Sequence, residues 1–428
     1  MKFRISLITF LFISAVSGPL LAQGGQTTLP FLLMPTSAEM YGMGYASVAL
    51  PSSDPMIPFY NPAQLGMQSF NNNLSVGYNS IDWLPSYRMG LKLTSFAING
   101  GIDLERYLKE IPPVSIGFGY SNMKMNFGNF LYGDDGLGSS GSYDKTDNFT
   151  LSAAINYYIK ASLGFTYKHV FSKLGGKIKI NGELKEASAT ADLYDWGVFI
   201  QAPVFPILEK TMNRPFKIYQ NISPVFDLTF GFSNSNLGQN SLFYISKDQA
   251  DPLPRMARTG IGLLAGFKYE AGDVSIMPLT AKWTIEANDV LVSSKKAGGW
   301  DYQSGFGDIN FFKEVIAGKT NFQTKKLKGW ELNLLETISL YGGRFEEDVD
   351  MGGRRFNSNG WSLRTAGLFK VLRIMSPNLF GNNLISYALN HLDFRYSTGK
   401  ATTDYPSSAS NDQKFSTFNV IFYGLLRN

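Results

Sequence analysis

Long runs in which apolar and polar side chains alternate one for one are the feature that most limits what this chain can fold into. Phe149, Leu151, Ala153, Ile155 and Tyr157 alternate with Asn148, Thr150, Ser152, Ala154 and Asn156. The pattern resumes as Ile159, Ala161, Leu163, Phe165 and Tyr167 against Lys160, Ser162, Gly164, Thr166 and Lys168. A period of two is that of a β-strand, whose successive side chains point to opposite faces. The joint at Tyr157-Tyr158 predicts a tight hairpin. The same alternation marks 222–232, 278–287 and 329–341. Weaker runs lie at 73–81, 87–98, 113–121, 124–132, 188–201, 257–269, 360–372, 383–397 and 414–426. Together they predict about 14 strands. A phase slip between Leu389 and Leu392 predicts a bulge.

Alternation alone serves two architectures: a soluble sandwich with the apolar face inside, or a membrane barrel with the apolar face toward lipid. Three observations favour the barrel. First, the N-terminus reads as an export signal: Lys2 and Arg4, an apolar run from Ile5 to Val16, a break at Gly18-Pro19, and small residues ending at Ala22. Residues 1–22 are therefore expected to be a cleaved signal peptide, the competing reading being a retained anchor. Second, the strands are long enough for a tilted bilayer crossing. Third, the polar faces hold Gly, Ser, Thr, Asn and a few charges, as expected of a barrel lumen; the composition, 14% aromatic and 17% charged, suits either a soluble core or a lipid-facing wall. No stretch has the length of apolar residues a spanning helix needs. Cleavage removes Lys2 and Arg4 and lowers the formal net charge from +5 to +3, too mild a balance for a nucleic-acid partner. There is no cysteine, which excludes disulfides, thiolate chemistry and lipoprotein acylation.

The expected fold is thus all-β: a transmembrane antiparallel up-and-down β-barrel of about 14 strands, residing in the bacterial outer membrane. Residues 23–70 are expected to form an N-terminal plug or hatch, and 71–428 the barrel with long extracellular loops. The residues that point to the plug are Gly42, Gly44, Asn61, Pro62 and Ala63. Pro62 fixes its own φ and keeps Asn61 out of the helical region. The Asn61 amide can bond backbone groups that an irregular segment leaves unpaired. Gly42 and Gly44 allow close approach to a wall or positive φ. Flexible loops are expected at 133–142 and 398–412, and a short helix near 308–317.

Catalysis finds little support. His169 and His391, the two histidines, have no nucleophile motif or metal-ligand spacing nearby and read as strand or rim residues. Gly42-Met43-Gly44 lacks the spacing of a nucleotide loop. The acidic groups Asp134-Asp135 and Glu346-Glu347-Asp348 with Asp350 lack EF-hand spacing and read as solvated loops. Arg255, Arg258, Arg354 and Arg355 read as solubilising charge at a rim. Lys160, Lys168 and Lys282 fall on the polar face, where they either bias a pore toward anions or pair with Glu286, Asp227 or Glu331 inside a plugged barrel. No enzyme activity and no cofactor are expected.

Phe31-Leu-Leu-Met-Pro35, Ala38, Gly42-Met-Gly44, Ala46, Val48-Ala49 and Asn61-Pro-Ala-Gln-Leu65 together resemble the PorV/PorQ family. Leu253-Pro-Arg-Met-Ala-Arg-Thr-Gly-Ile-Gly262 resembles a later stretch of it. Glu39, where that family commonly has arginine, Pro51-Ser-Ser-Asp-Pro55 and the terminal Leu-Leu-Arg-Asn428 depart from its pattern. The family resembles the FadL-like transporters, so the resemblance implies a 14-stranded barrel whose hatch carries the Asn-Pro-Ala motif. It also implies a part in type IX secretion and cell-surface attachment. Secretion-system proteins and cargo C-terminal signal domains would then be bound through loops at 129–147, 293–328 and 398–413. The alternative it implies is a transporter of hydrophobic small molecules such as fatty acids or aromatic hydrocarbons. Outer-membrane lipid and lipopolysaccharide are expected neighbours in either case. The polar faces of 148–168 argue mildly against a greasy tunnel.

Overall fold

A computed structural model describes residues 27–83, 90–105, 112–132, 138–180, 183–295, 299–319, 323–348, 353–376, 391–404 and 413–424. The expected signal peptide, Asp134-Asp135, Asp350 and the slip at Leu389 lie outside these residues.

Fourteen strands close into one antiparallel barrel: β1 (Leu74–Asp82), β2 (Lys92–Asp103), β3 (Val114–Tyr132), β4 (Gly138–Tyr157), β5 (Ile159–Ile180), β6 (Glu183–Pro203), β7 (Ile222–Gly238), β8 (Met256–Ala271), β9 (Val274–Val290), β10 (Lys325–Leu334), β11 (Ile338–Glu346), β12 (Arg355–Arg364), β13 (Leu392–Thr403) and β14 (Lys414–Phe422). Each strand pairs with its neighbours in sequence. The circle closes where β1 meets β14, with Leu74 opposite Phe422 and Tyr78 opposite Phe418. Closure leaves no edge strand, so both sides of each strand find a partner within the sheet, as a bilayer demands.

The side-chain pattern is turned inside out relative to a soluble protein. Phe118, Leu151, Leu163, Phe165, Trp330, Leu340 and Phe418 are exposed on the outer surface, while Ser152, Ser162, Thr166, Ser339, Ser362 and Thr417 are buried in the lumen. Among the described residues no helix is long and apolar enough to cross a membrane. The outward apolar belt of the strands does that instead, the arrangement of a bacterial outer-membrane barrel. Both ends of the barrel chain and the tight turns at Tyr158, Gly272-Asp273 and 335–337 share one rim, the periplasmic one by this architecture. The longest connection on the opposite, extracellular rim is 291–324.

The strand total came out as expected through two errors that cancel. The runs at 113–121 and 124–132 are one strand, β3, interrupted by a register shift between Asn126 and Gly128. The run at 329–341 is a hairpin: Leu335 and Glu336 take positive φ between β10 and β11. Apolar residues on both sides of that turn kept the period of two, so the reversal was invisible. Three further expectations are corrected. Residues 138–142 and 398–403 belong to β4 and β13 rather than to loops. The run at 360–372 leaves the sheet at Arg364 and continues as a helix, Thr365–Met375. The helix expected near 308–317 is a single π-type turn, Phe312–Ile316. Tyr158 turns the β4–β5 hairpin with φ 62°.

Candidate functional site: a filled lumen under an apolar chamber

Residues 27–73 run inside the barrel before β1 begins, and most of them are buried. Two short helices, α1 (Ala38–Gly42) and α2 (Ala63–Ser69), lie in this segment. Ser37 caps α1, its hydroxyl accepting from the Met40 N–H, with Glu39 in the first turn.

The wall receives the segment on a belt of glycines. A methyl group placed on Gly343 would overlap the Met43 carbonyl carbon, on Gly164 the Pro62 carbonyl carbon, and on Gly231 the Val48 oxygen. These glycines sit on β11, β5 and β7, on the luminal side of each strand. At these points backbone meets backbone, which only glycine permits. Serines and threonines beside them satisfy the segment's polar groups. Thr229 donates to Ala49 O at 2.5 Å, Ser233 to Tyr60 O at 2.7 Å, Ser115 to Gly66 O at 2.6 Å and Ser358 to Gly42 O at 2.9 Å.

The five residues singled out from sequence all face this contact. Asn61 Nδ2 donates to Val48 O at 3.0 Å and to Val198 O of β6 at 3.1 Å, while its Oδ1 accepts from Ala63 N at 3.1 Å. Pro62 opens α2 and lies against Gly164. Ala63 O accepts from Ser162 at 2.5 Å. Gly44 has φ +69°, and a Cβ there would meet the Arg344 backbone at 2.6 Å. A Cβ on Gly42 would meet the Tyr341 Cβ of β11 at 3.1 Å.

Buried charges tie the same parts together. Glu39 pairs with Arg395 of β13 at 2.8 Å and accepts from Ser52 at 3.0 Å. A glutamate at 39 is therefore matched by a luminal arginine on the wall. Lys282 pairs with Glu331 at 2.7 Å, as the plugged-barrel alternative allowed. Lys168 pairs with Asp195 at 2.7 Å, a partner the sequence did not suggest, and lies 4.5 Å from the Phe59 ring centroid. Neither lysine is an unpaired charge lining a pore.

On the extracellular side of this packing the luminal faces change character. Met123 and Met125 of β3 follow Ser115, Gly117, Gly119 and Ser121 in the same phase. Ile81, Leu93, Val170, Leu193, Met256, Leu327, Phe345, Phe356 and Phe415 do likewise on their strands and pack with Phe31, Leu32, Tyr41 and Tyr60. Within this apolar layer a cavity of about 360 Å³ remains. Phe31, Leu33, Met34, Tyr45, Met125 and Phe345 supply its apolar wall, with Phe127 at the β3 bulge. Its polar side holds Arg258, Asn288, Lys325 and Arg354.

Those cations are already engaged. Arg258 donates to Ser235 at 2.7 Å and lies 5.0 Å from the Tyr60 ring centroid. Glu347 bridges Lys325 at 3.0 Å and Arg354 at 2.7 Å. Arg258 is therefore buried in the lumen and not at a solvated rim, Arg354 is half-exposed at the chamber's edge, and Glu347 is an ion-pair carboxylate, not a solvated loop residue. Among the described residues no group of acids and histidines has the geometry to hold a metal ion. His169 meets Asp192 at 2.9 Å, and His391 meets the Tyr423 carbonyl at 2.6 Å.

The chamber was missed in sequence because its lining lies on the faces read as polar. The available signal was Met123 and Met125 in phase with Ser115 to Ser121. The loops expected to reach cargo are partly something else. Residues 138–147 and 398–403 are wall, and 299–319 packs against the outer surface of the barrel, with Phe311 5.8 Å from Phe230 and Phe306 4.6 Å from Phe232.

No family model matches the chain, and no curated protein matches it. Solved structures similar to it include the CymD monoaromatic hydrocarbon channel, at 10% identity and TM-score 0.40, covering 91% of this chain and 97% of that one. The Pseudomonas putida toluene transporter TodX is 9% identical with TM-score 0.36, over 90% and 96% of the two chains. A Pseudomonas aeruginosa FadL homologue is 10% identical with TM-score 0.37, over 91% and 99%.

Proposed function

We propose that this protein is an outer-membrane channel that admits hydrophobic small molecules from outside the cell, with residues 27–73 as its plug. The observation that carries this reading is the chamber above the luminal segment. It is concave and mostly apolar, with a few polar groups gathered on one side, the usual composition of a small-molecule site. Its volume suits a ligand of one or two rings or a short acyl chain. A barrel that only displayed loops to a protein partner would have no use for an apolar hollow inside its lumen. The secretion reading rests on the motifs within 31–65, and those residues serve packing against the wall.

The test blocks the chamber without disturbing the wall. Leu33→Trp adds a ring where the cavity has space. The purified protein is titrated with N-phenyl-1-naphthylamine, a neutral aromatic fluorophore, and cellular uptake of toluene and of medium-chain fatty acids is followed with and without the gene product. Saturable binding by the wild type, lost in Leu33→Trp together with uptake, is the expected result. Uptake that does not depend on the gene product, with no saturable binding, would end the proposal.

A further inference from the structure

The β9–β10 connection does not project into solvent. Its residues Ile309 and Val315 pack with Ile285, Ala287 and Ala257, with Ile261 and Phe311 against them. Ile261, Ile285 and Ala287 share the outward phase of β8 and β9 with the exposed Trp283. Phe230 and Phe232, outward on β7 beside the exposed Leu228, meet Phe311 and Phe306. Gly318 O accepts from the Nζ of Lys326, an outward residue of β10 between luminal Lys325 and Leu327. The segment 306–318 is therefore laid over the outer wall at its extracellular end, between the barrel and whatever surrounds it.

What it shows outward is itself apolar and basic. Phe312 is 76% exposed, Ile316 55% and Phe306 43%, and Lys313 and Lys319 are exposed beside them. Of its two carboxylates, Asp308 is half-buried and accepts from Gln303 Nε2 at 3.0 Å, and the other points inward. Glu314 is buried, accepting from Asn310 N at 2.8 Å and from the Thr324 hydroxyl, while Asn310 Oδ1 accepts from Lys313 N at 3.0 Å. The turn thus keeps its acid inside and presents two cations flanking large apolar side chains.

We propose that the outer face of 306–319 is seated in the outer leaflet and binds a phosphorylated glycolipid. Phe306, Phe312 and Ile316 meet acyl chains, and Lys313 and Lys319 meet the phosphates. The face is continuous with the barrel's lipid-facing belt. Its charge is complementary to an anionic leaflet, where each basic residue near the surface adds to attraction. Apolar area set beside lysines is also how amphipathic segments lie in a membrane interface.

The chain has no native cysteine, so single labels report cleanly. Phe312→Cys and, separately, Ile316→Cys carry a spin label in protein reconstituted into phosphatidylcholine vesicles containing purified lipopolysaccharide. Leu151→Cys serves as the lipid reference and Lys247→Cys as the aqueous one. The expected ratio of oxygen to nickel-chelate collision at both sites matches Leu151. A ratio matching Lys247, or shielding from both reagents as under a protein partner, overturns the proposal. In a second arm, lipopolysaccharide raises the melting temperature of the wild type above its value in phosphatidylcholine alone. Lys313→Glu combined with Lys319→Glu is expected to abolish that rise, and retention of the full rise in this variant also overturns the proposal.

Discussion

The lumen holds two layers built from the same alternating strands, and they treat the inner segment in opposite ways. In the lower layer, wall glycines and hydroxyls press against the backbone of residues 42–69 and leave no room for a methyl group at several points. In the upper layer, methionine and phenylalanine side chains surround residues 29–60 but leave a hollow of about 360 Å³. Small residues that bring backbones together give rigidity. The large side chains of the upper layer leave a hollow that a close-packed interior would have filled. One layer thus fixes the inner segment against the wall, and the other leaves a hollow above it.

That contrast is open to attack, beginning where the largest effect is expected. Arg395→Met leaves Glu39 charged and unpaired at the heart of the lower layer. Breaking a buried pair this way costs about 3–5 kcal/mol, read as a lower urea midpoint for refolding in vesicles. Adding Glu39→Met should recover much of the loss; no recovery would mean that the pair matters for more than its charge balance. Gly343→Val drives a branched side chain into the Met43 backbone, an overpacking cost of about 1–3 kcal/mol. Gly100→Val, where a Cβ meets open space, is the control. Equal melting temperatures for the two variants would contradict the tight lower layer. Asn61→Ala removes three hydrogen bonds to buried backbone groups, with an expected cost of about 1–3 kcal/mol, and faster proteolysis of the inner segment in the folded barrel would accompany it. Leu33→Trp in the upper layer should change stability least, within about 0.5 kcal/mol as at sites free of packing constraint, while abolishing uptake. A large loss of stability there would mean that the chamber is a packed core rather than a binding space.

Much of the barrel could be read from local pattern, since a strand with one face to lipid must alternate. The hairpin at Tyr158 and the outward belt followed from that rule. Strand ends were less legible. Leu334 and Ile338 flank a reversal without breaking the period, and Gly138–Ser142 looks like loop because small polar residues serve a solvated strand end equally well. In the inner segment, Asn61, Pro62, Gly42 and Gly44 stood out through backbone chemistry that holds wherever they are placed. Arg395 and Asp195 did not stand out, and Glu347 read as a loop acid, because an ion pair's partner is chosen by distance across the lumen. Sequence separation carries no trace of that distance: 356 residues part Glu39 from Arg395.

By itself, then, the sequence determined the strand period, the inversion of the apolar face and the unusual backbone of residues 42–62. These are properties of single residues and their near neighbours. Only the tertiary structure decided that luminal glycines of distant strands form a belt around the inner segment, that Lys168, Lys282 and Arg395 on the polar faces pair with Asp195, Glu331 and Glu39, and that an apolar hollow sits above them. Each of those depends on which side chains meet across a closed ring, and closure is a property of all fourteen strands at once.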